Sequence, residues 1–160
     1  MTFLLFLLFL IACIAAASTG VIFKPGPWYV SLRKPGFTPP NWAFPVVWTT
    51  LYILIAWAAA RLVQRPGAEI AMALWAAQIA LNTLWTPVFF GARRMAAGMA
   101  IIAVLFVTVA ALVVAAFRVD TFAGVLFLPY LAWLGVAAAL NWRIWRDNRG
   151  RLQSSAAGSI

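Results

Sequence analysis

Apolar residues run almost unbroken through five stretches of the chain, and polar residues collect in the short gaps between them. The first stretch, residues 1–23, carries no charged side chain. The others lie at about 41–60, 70–90, 95–117 and 121–145. Each is close to the roughly 20 residues that an α-helix needs to cross the hydrocarbon core of a bilayer. The gaps hold helix punctuation: a Pro- and Gly-rich loop over 24–40, a Gln64-Arg65-Pro66-Gly67 turn, and the short links Gly91-Ala92-Arg93-Arg94 and Arg118-Val119-Asp120. The pattern predicts an all-α membrane protein, a single bundle of five transmembrane helices over residues 1–148. Residues 24–40 form a lid over one end, and 149–160 form a flexible tail.

The first stretch has a second reading as a cleaved signal peptide, because Ala15-Ala16-Ala17 looks like a cleavage site. A signal peptide begins with basic residues, however, and none precedes Lys24, so a retained helix is expected. Ala12, Ala16 and Gly20 are spaced by four, as are Ala73 and Ala77 in the third stretch. Such small-residue faces let another helix approach closely, within the chain or in a homodimer.

Composition sharpens the membrane reading. The 160 residues are 66% hydrophobic and only 9% charged, against about a quarter charged in an ordinary soluble domain. The net charge of +9 sits in the gaps. It therefore reads as topology signal and headgroup contact, with no nucleic-acid surface. With five crossings, Lys24, Arg33, Lys34, Arg93, Arg94, Arg143, Arg146, Arg149 and Arg151 fall on one side, and only Arg61, Arg65 and Arg118 on the other. The positive-inside rule puts the proline-rich loop and the C-terminus in the cytoplasm of a bacterial inner membrane; an outer membrane is the alternative.

The chain has no histidine, one cysteine (Cys13) and three carboxylates (Glu69, Asp120, Asp147). No metal site and no histidine-based triad is expected. No carboxylate, lysine or histidine lies mid-span, and the one candidate intramembrane charge, Arg143, sits near the end of the last stretch where it can snorkel to the headgroups, so the usual apparatus of ion-coupled transport is missing. What remains is neutral: aromatic rings and amides. Gln78, Asn82 and Trp85 fall at i, i+4 and i+7 on one helix face; Tyr130, Trp133, Ala137 and Asn141 share another; Phe44, Trp48 and Tyr52 a third. Three such faces could enclose a flat apolar ligand, the rings stacking on it and the amides meeting its few polar atoms. The competing reading is an aromatic core with an interfacial belt. Nine tryptophans in 160 residues exceed what anchoring needs. Pro45, Pro87 and Pro129 each remove a backbone donor and are expected to kink their helices.

At these residues the chain resembles the tryptophan-rich sensory protein / translocator protein family, also called peripheral-type benzodiazepine receptors. The resemblance runs through Trp28-Tyr29, Lys34-Pro35, Pro39-Pro40-Asn41-Trp42, Phe44-Pro45-Val46-Val47-Trp48 and Thr50-Leu51-Tyr52. It continues in Ala80–Pro87, Phe89–Arg93, Pro129–Trp133, Leu140-Asn141-Trp142 and Trp145–Asn148. It implies a five-helix membrane bundle, often a homodimer, that binds porphyrins, sterol-like lipids and isoquinoline or benzodiazepine drugs and requires no cofactor. By this resemblance Trp48 and Asn82 meet the ligand's polar atoms, while Tyr29, Pro39, Phe89, Ala137 and Leu140 line or cover the pocket. Phe44 and Trp133 belong to the same aromatic faces. Trp48 and Trp133 match the pair proposed for light-driven porphyrin breakdown, the catalytic alternative. Trp142 stands where a sterol motif would have tyrosine, which favours a bacterial-type member. The leading expectation is a membrane receptor or sensor for a heme-type tetrapyrrole; light- and oxygen-dependent degradation and facilitated transport are the alternatives.

Overall fold

The computed structural model describes residues 1–157, with side chains through Gly150. Five long helices and one short helix follow one another: α1 Thr2–Ile22, the short α2 Pro27–Ser31, α3 Ala43–Leu62, α4 Glu69–Thr86, α5 Met95–Val119 and α6 Thr121–Ala157. α1, α3, α5 and α6 are long and apolar enough to cross a membrane. α4 is shorter at 18 residues and carries Gln78 and Asn82, and it is prolonged by a π-helical turn, Pro87–Gly91.

The long helices close a ring in the order α1, α3, α6, α5, α4 and back to α1. Their ends gather at two levels. At one, Thr2 bonds Gln64 and Arg61 pairs with Asp120. At the other, Gly91 lies against the Phe23 ring and Arg33 is bonded to Asn148. Each long helix, α4 included, therefore runs the length of the bundle.

Local chemistry fixes the boundaries. α3 starts at Ala43, two residues later than the apolar pattern suggested, because Asn41 and Trp42 form a tight turn in which the Ala43 amide donates to the Pro40 carbonyl at 2.9 Å. Pro45 is then the third residue of α3, within the first turn, whose amides have no intrahelical acceptor, so its missing N–H costs no helical bond. Pro87 does disturb its helix. The backbone shifts to a wider turn in which the Ala92 amide donates to the Pro87 carbonyl at 2.8 Å. Arg93 then adopts φ 55°, a left-handed conformation costing a non-glycine residue on the order of 1 kcal/mol, and α5 can start.

α6 continues far beyond the end expected near residue 145, through residues assigned to a tail, to Ala157. No proline follows Pro129, and an Arg143–Asp147 ion pair at 3.6 Å, one turn apart, supports the extension. The expected tail at 158–160 lies outside the described residues.

The core is a single cluster from all five long helices, including Cys13, Ile55, Ala59, Trp75, Leu105, Leu112, Phe127, Tyr130 and Leu134. A smaller cluster of Phe89, Met95, Leu140 and Ile144 sits below the lid. Ala16 packs inward, whereas Gly20 is exposed with open space around it. The small-residue face of α1 is thus split. Ala73 and Ala77 of α4 both face outward.

Candidate functional site

Interior polar groups are few, and they meet across the ring. Asn82 of α4 donates from Nδ2 to the Tyr52 hydroxyl of α3 at 2.8 Å. The Tyr130 hydroxyl of α6 donates to Gln78 Oε1 of α4 at 2.9 Å. Gln78 and Tyr130 are fully buried, and Asn82 nearly so. A buried amide or hydroxyl without a partner costs about 1–3 kcal/mol, so these pairs fix how α3, α4 and α6 face one another.

Trp48 packs beside both hydroxyl-bearing rings. Its centroid lies 5.3 Å from Tyr52 and 6.1 Å from Tyr130, the latter edge-on. Phe44, one turn earlier on α3, meets Trp133 of α6 edge-on at 5.8 Å. Trp85 continues the inward face of α4 and stacks on Phe89 at 5.1 Å and 15°. The Gln78 side chain keeps Nε2 without a protein acceptor, and Trp85 likewise keeps Nε1. Both spare groups are donors on one face of α4.

Residues 24–40, the segment expected to act as a lid, pack over one end of this interior. Tyr29 of α2 meets Phe89 at 6.3 Å and Phe90 at 5.2 Å, and Lys34 lies 4.5 Å over the Tyr29 ring. Burial raises the Tyr29 hydroxyl above its usual pKa. Pro35 is buried and Pro39 half-buried. Asn148 of α6 fastens the strand behind them: Oδ1 accepts from the Arg33 amide at 3.0 Å, and Nδ2 donates to the Arg33 carbonyl at 2.9 Å.

The residues singled out from sequence thus fall in two adjoining groups. Trp48, Asn82, Trp133 and Ala137 belong to the central cluster. Tyr29, Phe44, Phe89 and Leu140 belong to the cluster below the lid, and Trp85 touches both. Pro39 lies in the lid itself. The pairing of Tyr130 with Gln78 was signalled only by Gln78 standing four residues before Asn82. The Asn148 clasp had no local signal.

Outside the ring wall, α3 and α6 part to leave an open groove of about 380 Å³. Val46, Val47, Thr50 and Leu51 line one side, and Pro129, Ala132, Trp133 and Val136 the other. The Thr50 hydroxyl is turned back onto the Val46 carbonyl at 3.0 Å, so the groove presents an apolar surface.

The family profile described as TspO/MBR matches residues 4–146. The chain is 50% identical to the tryptophan-rich sensory protein of Cereibacter sphaeroides, covering 98% of this chain and 99% of that one. It is 48% identical to protein CrtK of Rhodobacter capsulatus, over 94% and 96% of the two chains. With the human translocator protein the identity is 40%, over 77% and 76%.

Proposed function

The chain belongs to the TspO/MBR family as a multi-pass helical membrane protein, and from that membership we propose that it is a receptor-like binding protein for porphyrins and related flat, apolar ligands. One observation carries the reading. Trp48 packs against Tyr52 and Tyr130, and those two tyrosines are bonded to Asn82 and Gln78. Rings and amides of three helices converge there through neutral side chains alone. A tetrapyrrole ring offers large π faces for Trp48, Phe44 and Trp133. The spare donors of Gln78 and Trp85 suit its acceptor atoms.

In this reading α4 with its π-helical turn is the fifth span, residues 1–148 form one ligand-binding domain, and residues 24–40 are the lid. Tyr29, Pro39, Phe89, Ala137 and Leu140 shape the closed end. The chain sits in a bacterial inner membrane with the lid and the C-terminus in the cytoplasm. It forms a homodimer through the outward Ala73 and Ala77 of α4.

The test is a porphyrin titration read by tryptophan quenching. Saturable quenching, weakened in Trp48→Ala and in Asn82→Ala, is expected. Titrations unchanged in both variants would remove the site assignment.

A further inference from the structure

We propose that the groove between α3 and α6 is the route by which the ligand passes from the lipid into the interior, with Trp133 as its movable wall. The inference rests on the binding reading above and adds the path and the moving part.

The groove lies in the wall of the ring, since α3 and α6 are neighbours in it. Val46, Thr50, Pro129, Ala132 and Val136 are exposed along it, and Leu51 forms a buried floor. Its volume of about 380 Å³ is within the range of small-molecule sites, roughly 300–1,000 Å³. Its one hydroxyl, that of Thr50, is already bonded within α3. A flat apolar molecule dissolved in the bilayer can rest there without losing a hydrogen bond.

Trp133 connects this outer surface to the interior. Its side chain lines the groove and also meets Phe44 edge-on at 5.8 Å. Phe44 in turn packs on the cluster below the lid, with Leu140 and Phe89. A rotation of Trp133 outward, into space that is already open, would join groove and interior. α6 is weakened at this level, because Pro129, one turn before Trp133, donates no backbone bond and strains the turn before it.

The lid is the less accessible path. Asn148 clasps the backbone of Arg33, Tyr29 is set against Phe89 and Phe90, and Lys34 covers Tyr29. Opening it breaks all of these together.

The experiment uses the full chain in phosphatidylcholine vesicles, with protoporphyrin delivered from donor vesicles and quenching followed by stopped flow. Ala132→Phe and Val136→Phe fill the groove from exposed positions; Val107→Phe, on the lipid face of α5, is the control. The expected result is that association and dissociation rates both fall several-fold in the two groove variants, with Kd unchanged and the control like the parent chain. Rates equal to the parent in both groove variants overturn the route. A change in Kd alone also overturns it, because the groove is then part of the binding site. Asn148→Ala, which frees the lid, is expected to leave both rates unchanged; a joint rise assigns the route to the lid instead. Absence of saturable quenching in the parent chain defeats the binding reading itself, and the route with it.

Discussion

The Asn148 carboxamide holds the backbone of Arg33 by both its N–H and its carbonyl, across 115 residues of sequence. The same Nδ2 also donates to the Ile144 carbonyl at 2.7 Å, so the side chain uses both of its donor hydrogens and one acceptor site. At 1% exposure no water replaces these bonds. The segment before α3 is thereby tied to the C-terminal part of α6 by a group that reads backbone and tolerates any side chain at position 33.

Asn148→Ala removes this clasp and leaves the Arg33 groups to find new partners. A loss of about 1–3 kcal/mol in local stability is expected, from buried polar groups losing their bonds. Asn148→Asp is expected to be worse, because a carboxylate has no donor for either carbonyl. Hydrogen exchange over residues 28–34 reads the effect. Exchange equal to the parent in both variants would show that the clasp holds nothing.

Tyr52→Phe isolates the polar part of the proposed binding site. It keeps the ring beside Trp48 and deprives Asn82 Nδ2 of its acceptor. The freed amide must then turn toward another acceptor, and a bound ligand can supply one. Porphyrin affinity is therefore expected to hold or rise, while stability without ligand falls by about 1 kcal/mol. Tyr130→Phe is the converse case: it leaves Gln78 Oε1 without its donor, so a bound ligand would have to offer an N–H or O–H to restore the bond. Paired thermal unfolding with and without porphyrin distinguishes the two effects. An equal loss in both conditions would place these bonds outside ligand recognition.

Much of this arrangement was legible in the sequence, for reasons of scale. An apolar run of twenty residues has a meaning independent of its neighbours, so the all-helical fold and the four helices long and apolar enough to cross a membrane followed directly, while α4, shorter and carrying Gln78 and Asn82, is less plain. The i, i+4, i+7 spacing of Gln78, Asn82 and Trp85 put them on one face, and all three turn into the bundle. Boundaries were less accessible. Pro87 gave equal warning of a kink or a stop, and nothing local indicated the π-helical turn Pro87–Gly91 that sets Phe89 against Trp85 and Tyr29. The effect of Pro45 depends on where α3 begins, which the apolar pattern places two residues early. Asn148 could not be assigned at all, since its role exists only once α6 lies beside the lid.

Asp120 links α3, α5 and α6 at the opposite end and gives a pH-dependent signature. Its burial raises the carboxyl pKa, but the Ala123 amide, the Arg61 guanidinium at 2.8 Å and the charge of Arg65 outweigh this and hold it below its usual value. A depressed folded value means that the contribution is complete above the unfolded pKa of about 3.9 and is lost as pH falls through the lower folded value. Asp120 also caps α6 through the Ala123 amide at 3.1 Å, worth about 0.5–2 kcal/mol. Asp120→Ala is expected to lower the thermal midpoint at pH 7. The gap from the parent should shrink only below about pH 4. A gap that persists unchanged at pH 2–3 would show that the carboxylate charge contributes nothing.

Two helical glycines give opposite predictions for one substitution. Alanine in place of glycine inside a helix ordinarily gains about 0.5–1 kcal/mol, because the unfolded chain is less free. At Gly124 a Cβ would come within 2.6 Å of the Phe117 ring, but that ring is 38% exposed and can swing away into the lipid. Gly124→Ala is therefore expected to be neutral or stabilising. At Gly98 the Cβ would come within 2.8 Å of the Phe89 ring, which is 1% exposed and stacked on Trp85, with Tyr29 and Phe90 at its other edges. That ring can move only by disturbing the lid. Overpacking of this kind costs about 1–3 kcal/mol, more than the alanine gains. Gly98→Ala is expected to lower the thermal midpoint and raise hydrogen exchange in α2, while Gly124→Ala leaves α2 unchanged. Equal behaviour of the two variants would mean that Phe89 does not couple α5 to the lid.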